Sequence, residues 1–267
     1  MAQQTLHKLF DDYLVRAPNF TRKDALQDTY TPNQVPHREE QINQLAQILV
    51  SALRGDKPSN VFIYGKTGTG KTLVTRYVGQ ELEKKAAAQK TALKTCYLNC
   101  KLEKINTAYR MFAHFLAQFG EEVPSTGLPT DEVYKLFIKT MHKKKGIFIL
   151  ILDEIDSLSD TDVLYNLSRI NTELKDSRVS IVGISNDLSF TNNIDPRIKS
   201  SLSEEELVFP PYNATQLRDI LSQRAEIALQ KDILAADVIP KCAALAAQEH
   251  GDARRALDLL RVACELC

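Results

Sequence analysis

Four short apolar runs without polar alternation punctuate the chain: Val61 to Tyr64 after Asn60, Thr95 to Asn99, Ile147 to Leu152 and Val179 to Ile184. A strand covered on both faces reads this way, because neither face meets water. Between the runs lie stretches with apolar residues three and four apart, the period of a helix with one buried side. They cover 38–53 (Ile42, Leu45, Ile48, Leu49, Ala52), 71–90, 105–119 and 130–144, the last ending in a lysine run. Glu121 to Pro129 reads as a loop by its Pro, Gly and Ser. Strands spaced by helices predict a parallel sheet with helices on both faces.

After Pro210-Pro211 the pattern changes. Residues 213–230, 235–249 and 252–266 are three helical patterns with no strand between them. Residues 1–37 read as extended and irregular, broken by Pro18, Pro32 and Pro36. The expected plan is an N-terminal extended segment over 1–37, an α/β domain over 38–210 and a small all-α lid over 211–267.

Composition adds exclusions. The 267 residues are 43% apolar and 25% charged, a usual globular mix. Lys plus Arg equals Asp plus Glu at 34 each, so no basic excess advertises nucleic-acid binding, and any DNA contact must be local. No apolar run approaches the roughly twenty residues that span a bilayer, and Met1 to Phe10 lacks a signal-peptide core. A soluble cytoplasmic protein is the expectation. Cys96-x3-Cys100 and Cys264-x2-Cys267 have a zinc-like look but lie far apart in sequence, so buried thiols are the better reading of these cysteines.

Gly65-Lys66-Thr67-Gly68-Thr69-Gly70-Lys71-Thr72 fits G-x-x-x-x-G-K-[ST], with an expected strand before it and a helix after it. Glycines let the backbone turn and aim N–H groups at phosphate oxygens, and the helix start contributes its positive end. Lys71 can reach the β- and γ-phosphates, and the Thr72 hydroxyl can ligate Mg²⁺. Leu73 continues the cradle. The strand Ile149 to Leu152 ends in Asp153-Glu154. Ligands of open α/β sheets bind at the carboxyl ends of strands, which places Asp153 to hold Mg²⁺ and Glu154 to polarise an attacking water. The fold class expected is therefore a parallel-sheet P-loop nucleotide-binding domain with an all-α lid, taking ATP or ADP with Mg²⁺.

With Asp153-Glu154-Ile155-Asp156 beside the phosphate loop, the chain resembles AAA+ ATPases, and within them the archaeal Orc/Cdc-type replication initiators. The resemblance runs from about residue 6 to the end. It implies that Pro36-His37-Arg38-Glu39 belongs to a segment wrapping the adenine, making Pro36 and Arg38 nucleotide-binding positions. It makes Asn186 of Ile184-Ser185-Asn186-Asp187 the polar sensor-one residue. Arg197, in Asp195-Pro196-Arg197-Ile198-Lys199-Ser200, resembles an arginine finger offered to a neighbouring subunit. Tyr212 and Arg224 match nucleotide contacts at the start of the lid. In Gly251-Asp252-Ala253-Arg254-Arg255, Arg254 resembles the sensor-two arginine, with Arg255 in reserve. An inserted helix between Cys100 and Pro129 contacts DNA in such initiators, and Lys101, Lys104 and Arg110 are its available charges here.

Family members usually continue beyond the lid into a winged-helix domain, whereas nothing here resembles a helix-turn-helix reader; a truncated or unusually short member is the expectation. The resemblance implies a slow ATPase whose nucleotide state controls assembly on double-stranded origin DNA with other copies or paralogues. It also implies recruitment of an MCM-type replicative helicase, and a cytoplasmic, nucleoid-associated location. Two other readings remain open: an interaction module locked on ADP, and a non-replicative AAA+ switch ATPase.

Overall fold

In a computed structural model of the chain, the described residues are 19–27, 30, 32, 34–105, 107–124, 127–158, 162–190, 196–202, 204–231 and 233–266. The first eighteen residues, Asp195 and Cys267 lie outside them. The chain divides into two compact units, His37–Pro211 and a unit of Met1–Pro36 with Tyr212–Cys267.

The larger unit is built on five parallel strands: β1 (Asn60–Tyr64), β2 (Leu93–Asn99), β3 (Gly146–Asp153), β4 (Ser177–Ser185) and β5 (Glu204–Val208). Their order is β2-β3-β4-β1-β5. The helices are α1 (Glu39–Leu49), α2 (Lys71–Gln89), α3 (Ala108–Gln118), α4 (Thr130–Lys144), α5 (Asp162–Glu173) and the short α6 (Pro196–Leu202). Every residue of β1 is buried, as are Ile147 to Asp153 of β3, which explains their uninterrupted apolar sequence. One large core joins Phe62, Leu98, Phe112, Phe115, Phe137, Leu150 and Leu167. The fifth strand was not expected from sequence: it begins Glu204-Glu205-Glu206 and lies at the sheet edge, where Glu205 and Glu206 are exposed while Leu207 is buried. Backbone pairing to β1, from Asn60↔Glu204 to Tyr64↔Val208, makes it a strand despite that composition.

The parallel register puts strand ends side by side. Asn99 pairs with Asp153, and Asp153 with Ile184. All strands therefore deliver their carboxyl ends to one edge, and β1 runs directly into the phosphate loop there.

Among the described residues the smaller unit has three α-helices, α7 (Ala214–Ala228), α8 (Val238–Glu249) and α9 (Ala253–Leu266). α7 starts where it does because Asn213 and Gln216 form a reciprocal capping box, each side chain bonding the other's backbone N–H at 2.9 and 3.0 Å. The described part of the N-terminal segment belongs to this unit. A 3₁₀ turn at Lys23–Leu26 buries Ala25 and Leu26 among Leu217, Leu221, Ala246 and Leu260. The Arg224 guanidinium, 8% exposed, donates to the carbonyls of Ala25 (3.1 Å) and Tyr30 (3.3 Å) and lies 4.4 Å over the Tyr30 ring. Among the described residues no helix is long and apolar enough to cross a membrane.

Arg224→Ala should lower stability by about 2 kcal/mol, since hydrogen bonds from a charged donor contribute about 1.5–3 kcal/mol. Arg218→Ala, at an exposed position of the same helix, should change it by under about 0.5 kcal/mol. Urea denaturation reads both, and equal losses would show that Arg224 does not tie down the N-terminal segment.

Candidate functional site

The phosphate loop leaves β1 at Gly65. A Cβ at Gly65 would lie 2.5 Å from the Phe209 carbonyl oxygen, so only glycine fits beside the end of β5. Gly70 takes a left-handed backbone (φ 90°, ψ 8°) as the N-cap of α2, a conformation natural to glycine. No side chain caps α2 and its first turn holds no acidic residue. A helix start without an acidic first turn is a setting whose positive end favours a bound anion. Thr69, fully buried, closes the turn by donating its hydroxyl to the Lys66 carbonyl at 2.8 Å.

Lys71 is only 6% exposed. Its Nζ donates to the carbonyls of Gly65 (2.7 Å) and Lys66 (2.8 Å) and to Asn186 Oδ1 (2.9 Å). The last bond brings the expected sensor, at the end of β4, to the phosphate-loop cation 115 residues earlier. The Asn186 backbone N–H is held in turn by Asp156 Oδ1 at 3.1 Å.

Thr72 and Asp153 meet directly: the Thr72 hydroxyl donates to Asp153 Oδ2 at 2.7 Å. Asp153 Oδ1 accepts the Glu154 N–H at 2.9 Å. A hydroxyl and a carboxylate are hard oxygen donors of the kind Mg²⁺ takes together with nucleotide phosphates. These residues fit that ion. Glu154 stands in the left-handed region (φ 52°, ψ 45°), a conformation costing about 1–3 kcal/mol for a residue with a side chain. This conformation turns the chain after β3 into the 3₁₀ turn Ile155–Ser157.

Three contributors escaped the sequence reading. Tyr97 of β2 donates its hydroxyl to Asp153 Oδ2 at 2.8 Å. Asp156 was noted only as part of a motif, yet it braces Asn186. Arg76, one turn beyond Thr72, lies 4.9 Å over the Tyr97 ring. Register pairing between β2 and β3 was the missing signal. The negative charge gathered here reaches inward: burial, with Asp153, Asp156 and Glu154 nearby, pushes the Cys100 thiol up to about 12, and burial pushes Cys96 to about 12. Cys96, Cys100, Cys242 and Cys264 are all buried thiols, and the described residues hold no cluster of three metal-binding side chains.

Arg38 is 2% exposed and committed to backbone carbonyls: Thr69 (2.9 Å), Pro210 (2.6 Å) and His37 (3.4 Å). It braces the phosphate loop from behind. Arg197 is exposed on α6, immediately after Pro196 at the first helical position. Of the DNA candidates, Lys101, Lys104 and Arg110 are exposed, and Arg110 donates to the Lys104 carbonyl at 3.0 Å, holding the 101–104 turn.

In the smaller unit, Tyr212 is 4% exposed within the lid core and its N–H meets the Gly251 carbonyl at 3.2 Å. Pro36 is half-buried. Asp252 Oδ1 caps α9, accepting the Arg254 and Arg255 N–H groups. Both arginines are exposed, and the Arg255 guanidinium is engaged by Glu249. The two candidates for sensor two thus differ: Arg255 is tied within the lid.

The AAA ATPase domain family matches residues 34–182, and the Cdc6 AAA+ ATPase-type lid domain family matches residues 218–267. The chain is 56% identical to ORC1-type DNA replication protein 1 of Methanosarcina mazei over 98% of its length, covering 64% of that protein. It is 53% identical to the ORC1-type DNA replication protein of Pyrococcus abyssi, covering 99% of this chain and 64% of that one. The structure of the Aeropyrum pernix ORC1 protein in complex with DNA superposes with a TM-score of 0.85 at 49% identity, over 94% of this chain and 65% of that one. The chain spans about two thirds of the length of these relatives. The phosphate cradle, the Thr72–Asp153 pair and these matches lead to one conclusion: the chain belongs to the AAA ATPase family and carries a lid of the Cdc6 type.

Proposed function

We propose that this chain is the ATP-binding and slowly hydrolysing module of a DNA replication initiator. The observation that carries the ATPase part is the joining of Lys71, Asn186, Thr72 and Asp153 at the uncapped start of α2. The initiator part rests on similarity to proteins named ORC1-type DNA replication proteins and to an ORC1 protein solved with DNA.

In this reading Gly65 to Leu73 cradle the phosphates, and Lys71 turns from the Gly65 and Lys66 carbonyls towards the β- and γ-phosphate oxygens. Thr72 and Asp153 hold Mg²⁺, which neutralises phosphate charge when bound. Glu154 takes the proton of the attacking water. Asn186 orients that water from its place beside Lys71. Arg254 reaches the phosphates from the lid, and Tyr212, Arg224, Pro36 and Arg38 shape the nucleotide pocket, the last two through the segment around residue 37. Arg197 acts on the γ-phosphate of a neighbouring copy, which makes turnover slow until copies assemble. The partners are double-stranded origin DNA, met locally by Lys101, Lys104 and Arg110, other copies or paralogues, and an MCM-type replicative helicase. The working division is a segment over 1–37, the ATPase domain over 38–210 and the lid over 211–267, in a nucleoid-associated cytoplasmic protein.

Lys71→Ala should weaken ATP binding about a hundredfold, equivalent to about 3 kcal/mol lost with a charge-assisted contact. Calorimetric titration of the folded variant reads this, and unchanged affinity would remove the phosphate-loop assignment. Glu154→Gln should retain ATP binding and reduce hydrolysis by about a hundredfold or more; turnover within twofold of the parent would place the base elsewhere. Arg197→Ala mixed with Lys71→Ala should recover hydrolysis at concentrations that promote assembly, since a finger supplied in trans accelerates transfer by about a thousandfold or more. Loss of ATP affinity in monomeric Arg197→Ala would instead put the side chain in its own pocket.

A further inference from the structure

Asp153 Oδ2 accepts two hydroxyl hydrogens at once, from Thr72 at 2.7 Å and Tyr97 at 2.8 Å, while Oδ1 takes the Glu154 N–H at 2.9 Å. Glu154 N–H is local to the turn after β3. Tyr97 is the anchor that comes from another strand. The Arg76 guanidinium lies 4.9 Å from its ring centre, and the Tyr97 backbone carbonyl, which sets where the side chain starts, receives Gln118 Nε2 at 2.8 Å. A tyrosine has few torsions to freeze, so a ring held this way aims its hydroxyl at little entropic cost.

We propose that Tyr97 is a positioning residue for the divalent cation that accompanies ATP, an inference that rests on the nucleotide-binding reading above. A threonine hydroxyl has one hydrogen and two lone pairs. While Asp153 takes that hydrogen, the Thr72 lone pairs face outward and can ligate a cation. That orientation depends on Asp153 keeping Oδ2 towards Thr72. Tyr97 holds it there by bonding the same oxygen from the β2 side. Without the phenol hydroxyl, the carboxylate keeps its bonds to the Thr72 hydroxyl and the Glu154 N–H but loses the restraint from β2, so it turns more easily about its Cβ–Cγ bond.

Outer-shell partners of this kind contribute about 10–100-fold to metal affinity. The test titrates a fluorescent ATP analogue into the whole chain, in EDTA and at graded Mg²⁺. Tyr97→Phe keeps the ring and its stack with Arg76 but lacks the hydroxyl. The Mg²⁺ concentration giving half of the Mg²⁺-dependent gain in affinity should rise at least about tenfold. Tyr134→Phe is the control: Tyr134 also donates to a carboxylate, Glu173 Oε1 at 2.7 Å, which has no part in the phosphate cradle, and its removal should leave that midpoint unchanged. A Tyr97→Phe protein with a lower melting temperature but the parent's Mg²⁺ midpoint overturns the positioning role while leaving the nucleotide site standing. An unmutated chain that binds no ATP analogue at any Mg²⁺ concentration overturns the nucleotide reading and this inference with it.

Discussion

The hydrogen bond from Lys71 Nζ to Asn186 Oδ1 is the contact on which the site depends. One partner belongs to the helix that follows β1 and the other to the end of β4, and the two strands are neighbours. The sheet registers them, and a 2.9 Å bond between a cation and an amide oxygen joins the phosphate loop to the end of β4. Asp156 and Asp153 extend the same logic sideways, one bracing Asn186 and the other receiving Thr72. The site is therefore a row of strand ends cross-linked by polar side chains.

Much of this was legible in the sequence because the signals are local. The loop Gly65 to Thr72 is one contiguous stretch whose glycines have visible reasons, and the apolar run ending in Asp153 announces a buried strand. Helix α4 matches its periodic pattern over Thr130–Lys144. β5 was hidden because its first three residues are glutamates, and what makes it a strand is pairing with β1 rather than its own composition. Tyr97 was hidden for a related reason: strand character could be read at Thr95 to Asn99, but which carboxylate its hydroxyl meets depends on register against β3.

Arginines were the least legible residues. Family resemblance makes Arg38 and Arg224 nucleotide positions, and in the structure both guanidiniums are buried and bonded to backbone carbonyls. A one-dimensional pattern gives no measure of burial for so long a side chain. Arg254 and Arg255, adjacent in sequence, are separated only by the presence of Glu249 near one of them.

Arg38 also has a mechanical meaning. Two of its bonds end on Thr69, inside the phosphate loop, and on Pro210, next to the last residue of the larger unit. A guanidinium is a rigid plate, and one that is 2% exposed has no water ready to replace a broken bond. Displacing the Pro210 carbonyl therefore tilts the plate and tugs the Thr69 carbonyl with it. Beside the direct packing of Gly65 against the Phe209 carbonyl, this gives the strand exit a second link to the cradle, much as a lever carries force across its pivot.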